Sequence, residues 1–129
     1  MAIKGEIIFP GDKSISHRAL MFAALANGES RISNLSTGVD VKSTRNCLEA
    51  CGIEIGNEGN EVVVNGGKFS DPTRPLDCGN SGTTTRLLLG LLAGQGINAT
   101  FVGDESLSSR PMNRILDPLF QMGLKCESH

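Results

Sequence analysis

Four glycines constrain the fold of this chain more than any other feature. Gly28, Gly52, Gly94 and Gly123 each close a stretch of apolar residues at helical spacing, where a residue without a Cβ takes the left-handed conformation at little steric cost. Gly28 pairs with Gly94 and Gly52 with Gly123, at offsets of 66 and 71 residues. The pairing implies two copies of one strand-helix-strand-helix-hairpin unit. Alternating strands and helices put the chain in the mixed α/β (α+β) class.

In the first copy, the segment EIIF at 6–9 reads as a short strand stopped by Pro10 and Gly11. Ser14 or Ser16 offers an N-cap to a helix whose apolar set includes Leu20, Phe22, Ala23 and Ala24, running to Asn27 and Gly28. Residues 31–35 alternate like a strand, and Asp40 caps a second helix through Val41, Cys47, Leu48 and Cys51, closed by Gly52. Residues 53–55 and 62–64 then form a hairpin around GNEGN. After a Gly- and Pro-bearing loop at 66–75, the second copy predicts a strand near Leu76, Asp77 and Cys78, a helix over 81–93 and a strand over 97–102. Its last helix opens at Pro111, where proline is tolerated in the first turn, and closes at Gly123. Residues 124–127 supply only the first strand of the second hairpin, whose partner would fall beyond His129. The units therefore run over about 6–65 and 75–129, the second one cut short.

Charge excludes two classes of partner. With 12 Lys+Arg against 14 Asp+Glu, a net charge of −2 and a pI near 5.6, the chain lacks the clustered cations that displace counterions from nucleic acid or hold an anionic membrane. The longest run without a charge, 87–103, contains Gln95, Asn98, Thr100 and four glycines, so it does not read as a membrane span. The opening MAIKGEIIFP has neither the long apolar stretch nor the small-residue cleavage site of a secretory signal, which predicts a cytoplasmic protein. Four cysteines, Cys47, Cys51, Cys78 and Cys126, have no histidine at metal-ligand spacing, and read as buried thiols in a reducing compartment. No metal site and no cofactor is expected.

Residue types suited to anions gather at three junctions. In GDKSISHR, 11–18, a glycine permits close backbone approach, the free N–H groups of a helix start favour negative charge, and Lys13 and Arg18 lie about one turn apart. The segment is not the phosphate-loop pattern, and Lys13 and Arg18 are equally readable as solvated charges, with Ser14 a simple cap. GNSGTTTR, 79–86, repeats the arrangement with two glycines, hydroxyl residues and Arg86 one turn in, and is equally readable as a capped tight turn. The third junction, SLSSRP at 106–111, places Arg110 just outside a helix start, electrostatically misplaced against the helix dipole and able to face whatever the others bind. His17, alone on a first turn, reads as a hydrogen-bonding or packing residue, and Asp40 as a cap with a second role at the site. Asp12, Asp104 and Glu105 have no evident partner for paired-carboxylate chemistry.

The ordered segments GDKSISHRAL, GNSGTTTRLLLG and ESLSSRPM closely resemble the N-terminal part of the 5-enolpyruvylshikimate-3-phosphate synthase family, shikimate-pathway transferases of aromatic amino-acid biosynthesis that glyphosate inhibits. The resemblance implies repeated βαβαββ units of an inverse α/β barrel, about two of the three units of one domain, in a family with chains roughly three times longer. It implies that Lys13 contacts both shikimate 3-phosphate and phosphoenolpyruvate, that Ser14 and Arg18 hold the shikimate substrate, and that Gly82 and Arg110 adjoin phosphoenolpyruvate. Asn80, Thr83 and Asp40 would support them. The acid–base carboxylates and further cations of such enzymes come from the remainder of the enzyme, so no complete catalytic set falls on this chain and the isolated chain is expected to be inactive. A sibling family acting on UDP-N-acetylglucosamine carries Lys-Asn in place of Lys13-Ser14 and a cysteine in its mobile loop, whereas 106–111 has none. That sibling and a non-catalytic anion-binding module are the alternatives.

Overall fold

The computed structural model describes residues 2–127. Helix α1, Lys13–Leu25, begins where the Asp12 carboxylate accepts the N–H of Ile15 at 2.8 Å. The expected caps, Ser14 and Ser16, lie inside the helix instead: a carboxylate at the preceding position serves the free N–H groups and suits the dipole. Ser16 is released to accept the N–H of Ser36 at 3.0 Å. The helix is capped by Ala26, and Gly28, at φ +102°, opens strand β1, Gly28–Ser33. This strand starts three residues before the expected 31–35. Its length follows its partner: β3, Glu61–Gly66, pairs antiparallel with it from Gly28↔Gly66 to Ser33↔Glu61, and Asn34 then turns away at φ +56°.

Helix α2, Val39–Ala50, is capped by Gly38, so Asp40 is not its cap but a first-turn acid. Gly52 closes α2 at φ +92°, as expected. Strand β2, Glu54–Glu58, returns through Gly59 and Asn60 into β3, in register Glu58↔Glu61. Gly59 takes φ +58° at the first of the two turn positions, the geometry that favours glycine in a type II′ hairpin. The sheet order is β1-β3-β2, all antiparallel.

The second half is thinner. Strand β4, Leu76–Asp77, pairs in parallel with β5, Phe101–Val102. Between them runs α3, Gly82–Gly94, capped by Ser81. Its closing left-handed glycine is Gly96, at φ +69°, and Gly94 lies within the helix. Only the last two residues of the expected 97–102 strand pair, because β4 offers only two partners. A short helix not anticipated from the sequence, α4, Glu105–Ser108, is capped by Asp104. The last helix, α5, Asn113–Gln121, starts two residues beyond Pro111 and buries no residue. Residues 6–9 and 124–127, expected as strands, are not strands: among the described residues no strand pairs with either segment.

Leu20, Leu48, Leu76, Leu88, Leu92, Val41 and Val64 are fully buried or nearly so, and they join α1, α2 and α3 to the sheets. Cys47, Cys51 and Cys78 belong to this core as free thiols, whereas Cys126 is exposed, which corrects the expectation that all four are buried. Contact with Cys78, added to burial, holds the Cys47 thiol far above its usual range, as befits an inert core group. Gly66 lets α1 settle on β3. A Cβ there would lie 2.7 Å from the Ala24 carbonyl and overlap those of Ala23 and Ala26. Among the described residues no helix is long and apolar enough to cross a membrane.

Candidate anion-binding site

The first turns of α1, α2 and α3 meet through side chains. Gly11 brings the backbone ahead of α1 against residues 34–36, where a Cβ would collide with the Asn34 carbonyl. Lys13 forms an ion pair with Asp40, in the first turn of α2. Ser14 and Arg18 stand on the exposed side of α1, with Arg18 Nη1 donating to the Ser14 carbonyl at 3.1 Å.

At the third start, Asp77 accepts the N–H of Gly79 at 2.8 Å, Gly79 turns at φ +56°, and the Ser81 hydroxyl accepts the N–H of Thr84 at 3.0 Å. Gly82 follows as a buried residue. A Cβ on it would sit 2.8 Å from Arg86 Nη1 and 3.2 Å from Arg110 Nη1, so two guanidinium groups converge on one bare Cα. Arg110 Nη2 donates to Asn80 Oδ1 at 3.0 Å, and Asn80 Nδ2 donates to both carboxylate oxygens of Asp104, at 3.1 and 3.0 Å. Asp104 also accepts the N–H of Leu107 at 2.8 Å. That backbone N–H first, then Asn80 and Arg110, hold its carboxyl below the usual range. Among the described residues no carboxylate lies within ion-pair distance of Arg86 or Arg110.

The two ends of the site are joined at Thr84, whose hydroxyl lies 3.2 Å from the Asp40 carbonyl and 2.7 Å from the Ser81 hydroxyl. Lys13, Asp40, Gly82, Asn80 and Arg110 are thereby linked through a continuous set of contacts. Thr83 is half-buried behind Gly82 and makes no side-chain hydrogen bond among the described residues. His17 is buried with Nδ1 2.7 Å from Thr44 Oγ1, as a hydrogen-bonding residue should be. Burial, then Lys13, lower its pKa from 6.5; Arg18 adds to this and Asp40 opposes it.

Reading the residues singly missed Asp104. Its role depends on a contact with Asn80, 24 residues away, and its one local signal is a capping acid three residues ahead of Leu107. Arg86, visible in its motif one turn into the helix, proves to share the Gly82 position with Arg110. A set of cations over helix starts is suited to phosphate or carboxylate groups. Its nearby acids are already engaged, Asp40 by Lys13 and Asp104 by Asn80 and Leu107.

The family model for EPSP synthase (3-phosphoshikimate 1-carboxyvinyltransferase) matches residues 1–129. Curated relatives bearing the name 3-phosphoshikimate 1-carboxyvinyltransferase include one from Gloeobacter violaceus, 56% identical over 128 residues and covering 95% of this chain and 30% of its own length. Another, from Oenococcus oeni, is 51% identical over 124 residues and covers 94% of this chain and 28% of its own length. Among solved structures, EPSP synthase from Acinetobacter baumannii superposes with a TM-score of 0.88 at 41% identity, over 96% of this chain and 29% of that one. The chain therefore spans less than a third of the length of the relatives it matches.

Proposed function

This chain belongs to the EPSP synthase family, and from that premise we propose that it supplies one wall of a site transferring the carboxyvinyl group of phosphoenolpyruvate to the 5-hydroxyl of shikimate 3-phosphate, with release of phosphate. Lys13, Ser14 and Arg18 hold shikimate 3-phosphate. Lys13, Gly82 and Arg110 hold phosphoenolpyruvate, with Asn80, Thr83 and Asp40 in support. The observation that carries this reading is the convergence of Arg86 and Arg110 on the bare Cα of Gly82, at a helix start where an anion is favoured and a side chain would exclude it. Asp104 and Asn80 fix the Arg110 guanidinium before ligand arrives, so little reorganisation is needed when charge develops in the transition state. In the same reading glyphosate competes at Gly82, and the protein is cytoplasmic. In this reading the segments 6–65 and 75–129 correspond to two repeat units of an N-terminal domain of the inverse α/β barrel, the first lacking its opening strand and the second its hairpin among the described residues.

Because Asp40 and Asp104 are engaged, proton transfer falls to groups outside this chain, on polypeptide corresponding to the rest of the relatives' length. Phosphate release from the two substrates is accordingly expected when that polypeptide is added, and absent with the 129-residue chain alone. Turnover by the purified chain alone would overturn this division of labour. Substrate identity is tested by NMR titration of the supplemented protein with shikimate 3-phosphate, phosphoenolpyruvate and UDP-N-acetylglucosamine. Arg110→Ala should weaken phosphoenolpyruvate about ten- to hundredfold, the loss typical of a charged hydrogen bond. Saturable binding of UDP-N-acetylglucosamine in place of shikimate 3-phosphate would assign the chain to the sibling reaction.

A further inference from the structure

Beneath the cations, four side chains form a buried polar chain that the proposed reaction does not itself use. His17 Nδ1 lies 2.7 Å from Thr44 Oγ1, Thr44 Oγ1 lies 2.8 Å from Thr84 Oγ1, and Thr84 Oγ1 lies 3.2 Å from the Asp40 carbonyl and 2.7 Å from Ser81 Oγ. His17, Thr44, Ser81 and Thr84 are all nearly inaccessible to solvent. Proton counting orders the chain. The Thr84 hydroxyl donates toward Ser81 Oγ and the Asp40 carbonyl, and with its one proton spent on that side the Thr44 hydroxyl donates to it. Ser81 Oγ meanwhile accepts the Thr84 N–H. Thr44, its one proton spent, accepts from His17 Nδ1–H. Nε2 is then left as a bare acceptor, the buried atom without a partner among the described residues. The opposite tautomer would bury an unpaired N–H, the rarer and costlier arrangement.

We infer that His17 is a positioning residue: held as the neutral Nδ1–H tautomer, it ties the first turn of α1 through Thr44 and Thr84 to the first turn of α3, and so sets the spacing of Lys13, Ser14 and Arg18 from Gly82. An apolar side chain would fill the same volume without leaving Nε2 unpaired, so packing alone does not account for an imidazole here. The inference rests on the proposed binding of shikimate 3-phosphate only for its affinity readout.

Long-range nitrogen–proton NMR of the imidazole, recorded without ligand, reports the tautomer, and the Gly82 amide reports the start of α3. The wild-type chain should show Nδ1–H. His17→Leu should move the Gly82 amide, and His17→Asn, which keeps a donor toward Thr44, should bring it back. Thr44→Val, close in shape and without the hydroxyl, should abolish the Nδ1–H bond and move the same amide. With the rest of the enzyme supplied, His17→Leu and Thr44→Val should each weaken shikimate 3-phosphate about tenfold, with His17→Asn within about threefold of wild type. An Nε2–H or charged imidazole at neutral pH, or a folded Thr44→Val protein with an unmoved Gly82 amide, would overturn the inference. Failure of the wild type to bind shikimate 3-phosphate would instead sink the substrate assignment, leaving the ligand-free spectra to decide the role of His17.

Discussion

Residues 13–66 and 76–121 each carry part of the candidate anion site and are held together in different ways. The first region has a three-stranded sheet with five- and six-residue strands, and α1 pressed onto β3 so closely that Gly66 has no room for a methyl group. The second has two strands of two residues each and a terminal helix that buries nothing. It keeps its shape through side chains: Asp104 caps α4 and grips Asn80, Asn80 holds Arg110, and Ser81 caps α3. Backbone pairing locates one set of candidate site groups and polar side-chain bonds help to locate the other. Substitutions in α1 and its sheet should therefore change stability most, and those in α5 and in the Asn80–Arg110 contact should change binding with little change in stability.

The sharpest way to break this contrast is by truncating one apolar side chain in each region. Leu20→Ala, at a fully buried position in α1, should cost about 2–5 kcal/mol in urea unfolding, whereas Phe120→Ala in α5, 44% exposed, should cost under about 1 kcal/mol. Equal losses would mean that α5 packs as tightly as α1. Next in size, Gly66→Ala should destabilise by about 1–3 kcal/mol, since the added methyl meets backbone carbonyls that cannot rotate away. A melting temperature matching wild type would show that α1 slides on β3 at little cost. Ser81→Ala removes a buried cap and should cost about 1 kcal/mol. It should also disturb the Gly82 amide more than any substitution in β1 does.

Acid titration distinguishes the regions more gently. The His17 pKa is lowered, chiefly by burial and by Lys13, with a smaller contribution from Arg18 and an opposing one from Asp40. The unfolded histidine therefore takes up its proton near pH 6.5 while the folded one does so only at lower pH. Stability from this group is complete above about pH 6.5 and declines as the pH falls below it, until the folded imidazole is protonated too. Urea midpoints measured across that interval should fall less steeply in His17→Asn than in wild type. The smallest effect is a gain. Gly94→Ala, with open space around its added Cβ, should stabilise α3 by up to about 1 kcal/mol, and a loss would show that the last turn of α3 needs glycine.

Legibility followed the same division. The existence of the hairpin, the Gly52 stop and the extent of α3 were readable because a turn, a cap and a helical period are local signals, but the hairpin loop, expected over 56–60, shrinks to Gly59 and Asn60 because residues 56–58 pair with β3. The strand limits were not, since β1 and β5 run as far as their partners allow and those partners lie far away in sequence. Both capping errors had one cause. Ser14, Ser16 and Asp40 are all good caps, but Asp12 and Gly38 occupy the positions where the chain enters each helix. At the site, Lys13 and Gly82 were visible as residue types at helix starts, whereas Arg110, expected just outside a helix opening at Pro111, follows the end of α4 and precedes α5 by three residues. The pairing of Lys13 with Asp40, and of Asn80 with Asp104, depends on tertiary contact and left no mark in local spacing.

The hydrogen bonds from His17 to Thr44 and from Thr44 to Thr84 bridge 27 and 40 residues of chain, while the β2–β3 hairpin closes across two. Closing longer loops costs more chain entropy before any contact repays it. The hairpin is thus available early in folding, whereas its packing on α1, where the Gly67 N–H reaches the Ala24 carbonyl 43 residues away, and the meeting of the three helix starts come later. A ligand bound at the helix starts therefore stabilises structure that forms after the hairpin, and should slow its opening in hydrogen exchange before it alters the exchange of the β2–β3 turn.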